Sequence, residues 1–304
     1  MTLRRVLIVT KRSAYETYAV DQKDPGFERL VAQGDPRVRG ILASHREHHR
    51  TLEVVQKSLE RLGASVDRID RGTPFDECLY DLVVVVGGDG TFISAAHSVR
   101  DISMLGVNSA PKDSVGFFCG ATRTTADRML TRLVHADLPT TVFQRLRAEV
   151  DGEKVPQPAL NDVLYAHENP AAMARYSLRV GEHREEQRSS GVWIGPPAGS
   201  RAAVGSAGGR KLPLEAKRFQ FVVREPYQGR GRECRFRKGI LGAGDRLEIQ
   251  NHFGHARIFI DGPHVSRPIP FGATVRIRLG DEPLRVLGFR DPDTPRRGPA
   301  AQSR

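Results

Sequence analysis

The sequence predicts an α/β first domain followed by a β-rich second domain, and three observations carry that expectation. Strand-like and helix-like patterns alternate over roughly the first 135 residues, as in a parallel sheet with crossover helices. Val83–Val86 is apolar without alternation, the pattern of a strand buried on both faces. Beyond residue 140 the runs become short, many of them alternating, with glycine, proline and charge between them, as in a β-rich domain. Domains are therefore expected at 1–138 and 139–292. The last run, LRVLGF (284–289), can pair in either, and 293–304 reads as a disordered tail rich in Pro and Arg.

In order, RRVLIVTKR (4–12) is a first strand. Its apolar run ends at Lys11-Arg12 instead of a small-residue cleavage site, so a strand is the better reading than a secretory leader. The following stretch is irregular and partly helical. GILASHREHHRTLEVVQKSLERLG (40–63) places Ile41, Leu42, Val54, Val55, Leu59 and Leu62 on one face of a long helix, closed by Gly63. ASVDRIDR (64–71) alternates as a second strand, DLVVVV (81–86) is a third, TFISAAHSV (91–99) a helix, and ISMLGVN (102–108) a fourth strand. This layout is Rossmann-like. Later strands are expected in RLRAEV, ALNDVLYA, YSLRVGE, GVWIG, FQFVVRE, DRLEIQN, ARIFIDGPHV and TVRIRLG. Trp193 in GVWIG reads as core, given its apolar neighbours.

The formal net charge is +11 and the pI is near 10.0, which favours polyanionic partners: nucleic acid, acidic membrane or nucleotide phosphate. Aromatic residues are 7% and do not interleave with basic ones, which argues against specific nucleic-acid binding. The basic stretch QGRGRECRFRKG (228–239) therefore reads as a solvated loop. No apolar run approaches a membrane span. Cys78, Cys119 and Cys234 match no metal or redox spacing, which points to a reduced, cytoplasmic compartment. His45, His48 and His49 share a helix face, but no carboxylate or cysteine set that completes a metal site is visible in the sequence. A solvated face, or a subunit or nucleotide contact, is the favoured reading.

Chemistry concentrates in Gly87-Gly88-Asp89-Gly90-Thr91, between the buried strand and a helix. Glycines there let the backbone approach a ligand, and the helix aims its first N–H groups at phosphate. The turn is neither G-x-G-x-x-G nor a P-loop with its lysine. A loop that merely cradled phosphate would avoid a carboxylate. One that prepares a hydroxyl for phosphoryl transfer would want one, as an acceptor for the alcohol proton. Asp89 as a cap on its own helix is the competing reading, and pattern alone weighs the two equally.

VVVVGGDGT (83–91) resembles the nucleotide-binding motif of the NAD kinases, found also in diacylglycerol and sphingosine lipid kinases and in phosphofructokinases. Further stretches, in order, resemble the NAD kinases specifically. They are LGVNSAPKDSVGFFC (105–119), ALNDVLY (159–165) after the arginine-bearing FQRLRAEV, SSGVWIGPPAGSRAAVGSAGG (189–209) and IFIDGP (258–263). Within that family, KRSAYE (11–16), the histidine-bearing helix, Asn108–Pro111 and Ser189–Gly191 are similar to the branch containing the mitochondrial-type enzymes.

The resemblance implies an NAD kinase-like fold and transfer of the ATP γ-phosphoryl, with Mg2+ or another divalent cation, to the 2′-hydroxyl of the adenosine ribose of NAD or NADH. Asp89 would be the general base. Gly87, Gly88, Gly90 and Thr91 would shape the loop and offer N–H groups, and Asn108 and Asn161 would contact nucleotide. Asp162 stands where the family usually has glutamate, one methylene longer. Gly199, Ser200, Arg201, Ala202 and Ser206 fall in the loop that wraps the dinucleotide. Most bacterial members have Thr-Ala-Tyr where this chain has Arg201-Ala202-Ala203, so Arg201 is either a phosphate contact or a solvated charge. No protein metal ligand is assigned. A homo-oligomer, dimer or tetramer, is implied, with no membrane or specific nucleic-acid partner. The rival readings are a lipid kinase sharing GGDGT and a catalytically weak nucleotide-binding regulator.

Overall fold

The structure, a computed structural model, describes residues 2–135, 138–227, 229 and 234–291. The tail expected from 293, and Gln228 and 230–233 of the basic stretch, lie outside the described residues. The chain divides into two compact units. One comprises Met1–Ala95, Ile102–Thr141 and the chain from Arg285; the other comprises Ala96–Asp101 and Val142–Leu284.

The first unit is built on strands β1 (Arg5–Thr10), β2 (Ser65–Asp70), β3 (Leu82–Gly87) and β4 (Ser103–Asn108), all parallel to their neighbours in the order β2-β1-β3-β4. The final strand, Leu284–Leu287, continues the sheet parallel to β4, and β6 (Thr140–Phe143) follows it. β5 (Cys119–Thr122) also pairs with β4. Every residue of β3 is buried, as its unalternating valines predict. Each such valine contributes about 1.5–3 kcal/mol relative to exposure.

The helices of this unit include α1 (Pro25–Ala32), α2 (Pro36–Arg61), α3 (Asp89–Ala96) and α4 (Arg123–Val134). The long helix starts earlier than its apolar pattern suggested. Pro36 sits in its first turn and Asp35 caps it, accepting from the Arg37 N–H at 2.9 Å. Gly63, at φ +83°, closes it as expected. Its buried face is Val38, His48, Leu52, Val55 and Leu59, whereas Ile41, Leu42, Val54 and Leu62 are half-buried. Leu52, Val55 and Leu59 pack with Leu130 and Leu133 of α4 against alternate residues of β1, β3 and β4. The Ser58 hydroxyl and Arg61 both reach Asp127 of α4.

The second unit holds two antiparallel sheets of short strands. One runs His183–Ser189, Ala174–Val180, Leu247–Asn251, Thr274–Leu279, Leu146–Val150 and Glu153–Lys154. The other runs Lys238–Gly242, Arg218–Arg224, Gly191–Gly195, Val163–His167, Ala256–Ile260 and Val265–Ile269. Inward residues of both sheets share one core, with Tyr165, Tyr176, Phe219, Ile249 and Ile277 in it. The two buried phenols keep partners: Tyr165 donates to Asn251 at 2.7 Å and Tyr176 meets Ser189 at 2.8 Å.

Ala96–Asp101, expected within the first domain, belongs to this second unit. The cause is Arg145, which is 1% exposed and donates from Nη1 to the carbonyls of Ala96 (3.0 Å) and Val99 (2.8 Å). Arg100 adds an ion pair with Glu282 at 3.0 Å. Trp193 is half-buried instead of core, with the Arg224 guanidinium 5.8 Å from its ring centroid.

Candidate functional site

From β1 the chain moves outward to β2, then crosses back to β3 on the other side of β1. Connections thus leave in opposite directions between β1 and β3, and the carboxyl ends of those strands form the switch point where open α/β sheets take ligands. Thr10-Lys11 ends one strand, and Gly87-Gly88 ends the other.

The glycines there divide by role. A Cβ on Gly87 would lie 2.5 Å from the Thr91 hydroxyl and 2.7 Å from its Cβ, so packing demands glycine there, whereas one on Gly88 would meet the Ser114 hydroxyl at 2.5 Å, which a rotation of that side chain relieves. Gly90 is exposed, and a Cβ there would meet nothing nearer than Arg71 Nη1 at 3.5 Å. Its bareness leaves the backbone open to an approaching group. Thr91 differs from expectation. It is 2% exposed, and its N–H is spent on the Gly88 carbonyl at 3.1 Å, as is that of Phe92. The amides of Asp89 and Gly90 open α3, where N–H groups have no acceptor within the helix and the dipole favours an anion.

Asp89 is half-buried, and its Oδ1 accepts from the Phe118 N–H at 3.0 Å. Phe118 is itself fixed, 1% exposed and stacked on Phe92 at 5.1 Å. The helix-cap geometry considered for Asp89 is therefore not the one observed: a residue beyond β4 orients the carboxylate. Burial, with the Asp89 charge adding to it, pushes the neighbouring Cys119 thiol up to about 12, which leaves it inert.

Around this edge the charge is mixed. Lys11 is held below the usual ammonium range by burial first and by Arg71 second, with Asp113 opposing. His48 does not face solvent. At 1% exposure it meets the Thr10 hydroxyl through Nε2 (3.1 Å) and the Ser109 hydroxyl through Nδ1 (2.8 Å), tying α2 to the ends of β1 and β4. Burial, with Lys11 next in size, lowers it to about 4, so it stays neutral at physiological pH. Asn108 is spent on its own loop: Nδ2 donates to the Ser114 carbonyl at 2.9 Å and Oδ1 accepts from the Ala110 N–H at 3.0 Å.

In the second unit the residues singled out by sequence do converge. A Cβ on Gly199 would fall 1.7 Å from the Asn161 carbonyl, so glycine alone lets the 199–206 loop rest on the Asn161-Asp162 turn. The Asn161 side chain is half-buried, and Asp162 is 7% exposed. Burial, then the charge of Asp261, pushes the Asp162 carboxyl up to about 7. Ser200 builds the loop, donating to the Pro197 carbonyl at 2.6 Å and accepting from the Leu212 N–H at 3.1 Å. Arg201 is half-buried, and its Nη1 donates to the Leu212 carbonyl at 2.9 Å, a fastening of the loop that the sequence did not suggest. Ala202 ends the short helical turn Ala198–Arg201, and Ser206 is exposed one turn further on.

The residue that organises this turn was missed as a site residue. The Asp261 side chain is fully buried, and it accepts from the N–H groups of Leu160 (2.8 Å), Asn161 (2.7 Å) and Asp162 (2.9 Å) and from His97 Nε2 (2.9 Å). Its φ of +52° lies in the left-handed region, where Asp is among the better tolerated non-glycine residues. The one sequence signal was the Asp-Gly pair. Lys11 and Arg71 were likewise missed, and their signal is position: each directly follows a parallel strand at its carboxyl end.

The family described as the ATP-NAD kinase N-terminal domain matches residues 20–138. A rice (Oryza sativa subsp. japonica) protein named probable NADH kinase is 30% identical over 319 residues, covering 94% of this chain and 97% of its own length. An NADH kinase of Arabidopsis thaliana is 28% identical over 280 residues, covering 83% of this chain and 87% of its own. Among solved structures, an Archaeoglobus fulgidus NAD kinase in complex with ATP superposes with a TM-score of 0.67 at 20% identity, covering 95% of this chain and 94% of that one. A yeast NADH kinase complexed with NADH gives 0.70 at 13% identity, covering 94% and 84%.

Proposed function

The chain belongs to the NAD kinase family, and from that premise we propose that it is an NAD(H) kinase, moving the γ-phosphoryl of ATP to the adenosine-ribose 2′-hydroxyl of NAD or NADH. Similarity over nearly the whole chain to a protein named as an NADH kinase favours a dinucleotide acceptor over a lipid. The observation that carries the mechanism is Asp89. Its carboxylate is aimed by a single donated N–H from Phe118 and stands in the first turn of a helix at a sheet switch point.

In this reading the ribose hydroxyl gives its proton to Asp89 as its oxygen bonds to phosphorus and the bond to the ADP oxygen breaks. Help of this kind is worth about 10²–10⁴-fold. The amides of Asp89 and Gly90, with Lys11 and Arg71, supply positive field for phosphate, as in other phosphoryl-transfer sites. A loop with one carboxylate fits Mg2+ as it arrives on ATP, bound mainly through phosphate oxygens and water, and the ion would neutralise phosphate charge there. Asn161 takes a ribose of the dinucleotide. Gly199, Ala202 and Ser206 line its path, and Ser200 and Arg201 hold that loop in shape. Asn108 and Thr91 act through the loop they build and not by direct contact. A cytoplasmic homo-oligomer is part of the same reading, supported by the free cysteines and by likeness to the family.

Purified protein with ATP, Mg2+ and either NAD or NADH should form NADP or NADPH in an enzymatic cycling assay. Absence of product with both acceptors, while either dinucleotide still binds, would replace the kinase with the weak nucleotide-binding regulator.

A further inference from the structure

Glu16, His45 and His49 each bring a ligand atom to one place, all within 4.8 Å of one another. They come from two segments that the sequence keeps far apart. His45 and His49 stand one turn apart on α2, their ring centroids separated by 4.5 Å. Glu16 opens a rare π-helical turn, Glu16–Asp21, a form that recurs at functional sites.

The surroundings orient these atoms. Ser13 donates its N–H to Glu16 Oε2 at 2.8 Å, which turns Oε1 towards His49 Nε2 at 3.2 Å. Ser13 Oγ also meets His45 Nδ1 at 2.8 Å, which leaves Nε2 for another partner. Fixing a ligand ring through its far nitrogen is how metal sites hold their histidines. Tyr15, with its ring 4.8 Å from His45, forms an apolar wall. His48 is excluded, because both its nitrogens are engaged by Thr10 and Ser109.

We propose that Glu16, His45 and His49 form a binding site for a zinc-class divalent cation, with a fourth position open to water. Two imidazoles and a carboxylate suit Zn2+ or Co2+ and disfavour Mg2+ and Ca2+, which want oxygen. Donors on a zinc tetrahedron sit roughly 3.3 Å apart, given bonds of about 2.0–2.1 Å. The 3.2 Å Glu16–His49 separation already has that spacing. The site is independent of the kinase reading and distinct from any Mg2+ carried by ATP.

The test is calorimetric titration of chelator-stripped full-length protein with ZnCl2, with MgCl2 as comparator and with Co2+ absorption as a second readout. The expected result is one Zn2+ per chain, no comparable Mg2+ uptake, and visible Co2+ bands of a four-coordinate site. His49→Gln, on an exposed helix face, and Glu16→Gln should each weaken Zn2+ by about 100-fold or more while circular dichroism stays unchanged. His183→Gln, exposed in the second unit, should leave it within about twofold. Sub-stoichiometric uptake by the unaltered protein, or equal affinity in the His49→Gln and Glu16→Gln proteins, would overturn the site and leave an ordinary Glu16–His49 ion pair.

Discussion

Two aspartates sit at turns that carry the candidate chemistry, and they are used in opposite ways. Asp261 is fully buried and accepts from four donors, three of them backbone amides of the Leu160–Asp162 turn. Asp89 is half-buried and, among the described residues, is held by the amide of Phe118. A carboxylate surrounded by donors has its lone pairs occupied and serves as scaffold. One that is merely aimed keeps an oxygen for a substrate proton. The number of donors separates the two roles where the residue type does not.

The sharpest way to break that contrast is Asp89→Asn. It should lower kcat by about 10²–10⁴-fold, with KM for dinucleotide little changed and unfolding free energy within about 1 kcal/mol. Near-normal turnover would make Asp89 another scaffold. Asp261→Ala should do the reverse, costing about 3 kcal/mol in urea unfolding because buried amides lose their acceptor. Activity should then fall through weakened dinucleotide binding, as a raised KM in steady-state kinetics. A loss confined to kcat would assign Asp261 to the reaction itself.

The third prediction concerns pH. The Asp162 carboxyl is raised to about 7 in the folded protein, by burial and then by Asp261, against an ordinary value of 3.8. Between those values the folded state holds a proton that the unfolded chain has lost. Its contribution is therefore complete below about pH 4 and is lost as pH rises through about 7. Asp162→Asn does not titrate, so its urea midpoint should gain on that of the unaltered protein between pH 5 and pH 8. A constant gap would mean that Asp162 is already ionised in the folded state. The smallest effect is expected of Gly90→Ala, whose Cβ clears Arg71 at 3.5 Å. Thermal stability should stay within about 0.5 kcal/mol, while KM for ATP rises severalfold. An unchanged KM would mean that no phosphate approaches this backbone.

What the sequence revealed was local. Val83–Val86 could be read as a doubly buried strand because burial removes alternation, and Gly63 as a helix end because its left-handed backbone needs glycine. The Gly87–Thr91 turn and the Asn161-Asp162 pair were visible as contiguous motifs. Asp261 and its amides are about 100 residues apart in sequence, and no periodicity joins them. His48 lies in a polar stretch, SHREHHR, yet it shares the buried face of Leu52, Val55 and Leu59, because a helix sorts residues by angle and not by neighbours. Glu16 was absent from the histidine cluster for the same reason as Asp261: only folding brings KRSAYE onto α2.

The strand Leu284–Leu287, parallel to β4 and next to it in the sheet, also governs the order in which the protein can be made. While the chain emerges from the ribosome, β4 waits with part of its edge unpaired until the whole antiparallel unit has been synthesised. An open edge is an invitation to wrong partners. The antiparallel unit contains no strand that must wait for this last segment, so it can form first. The unit that carries β1 is thus completed after the antiparallel one.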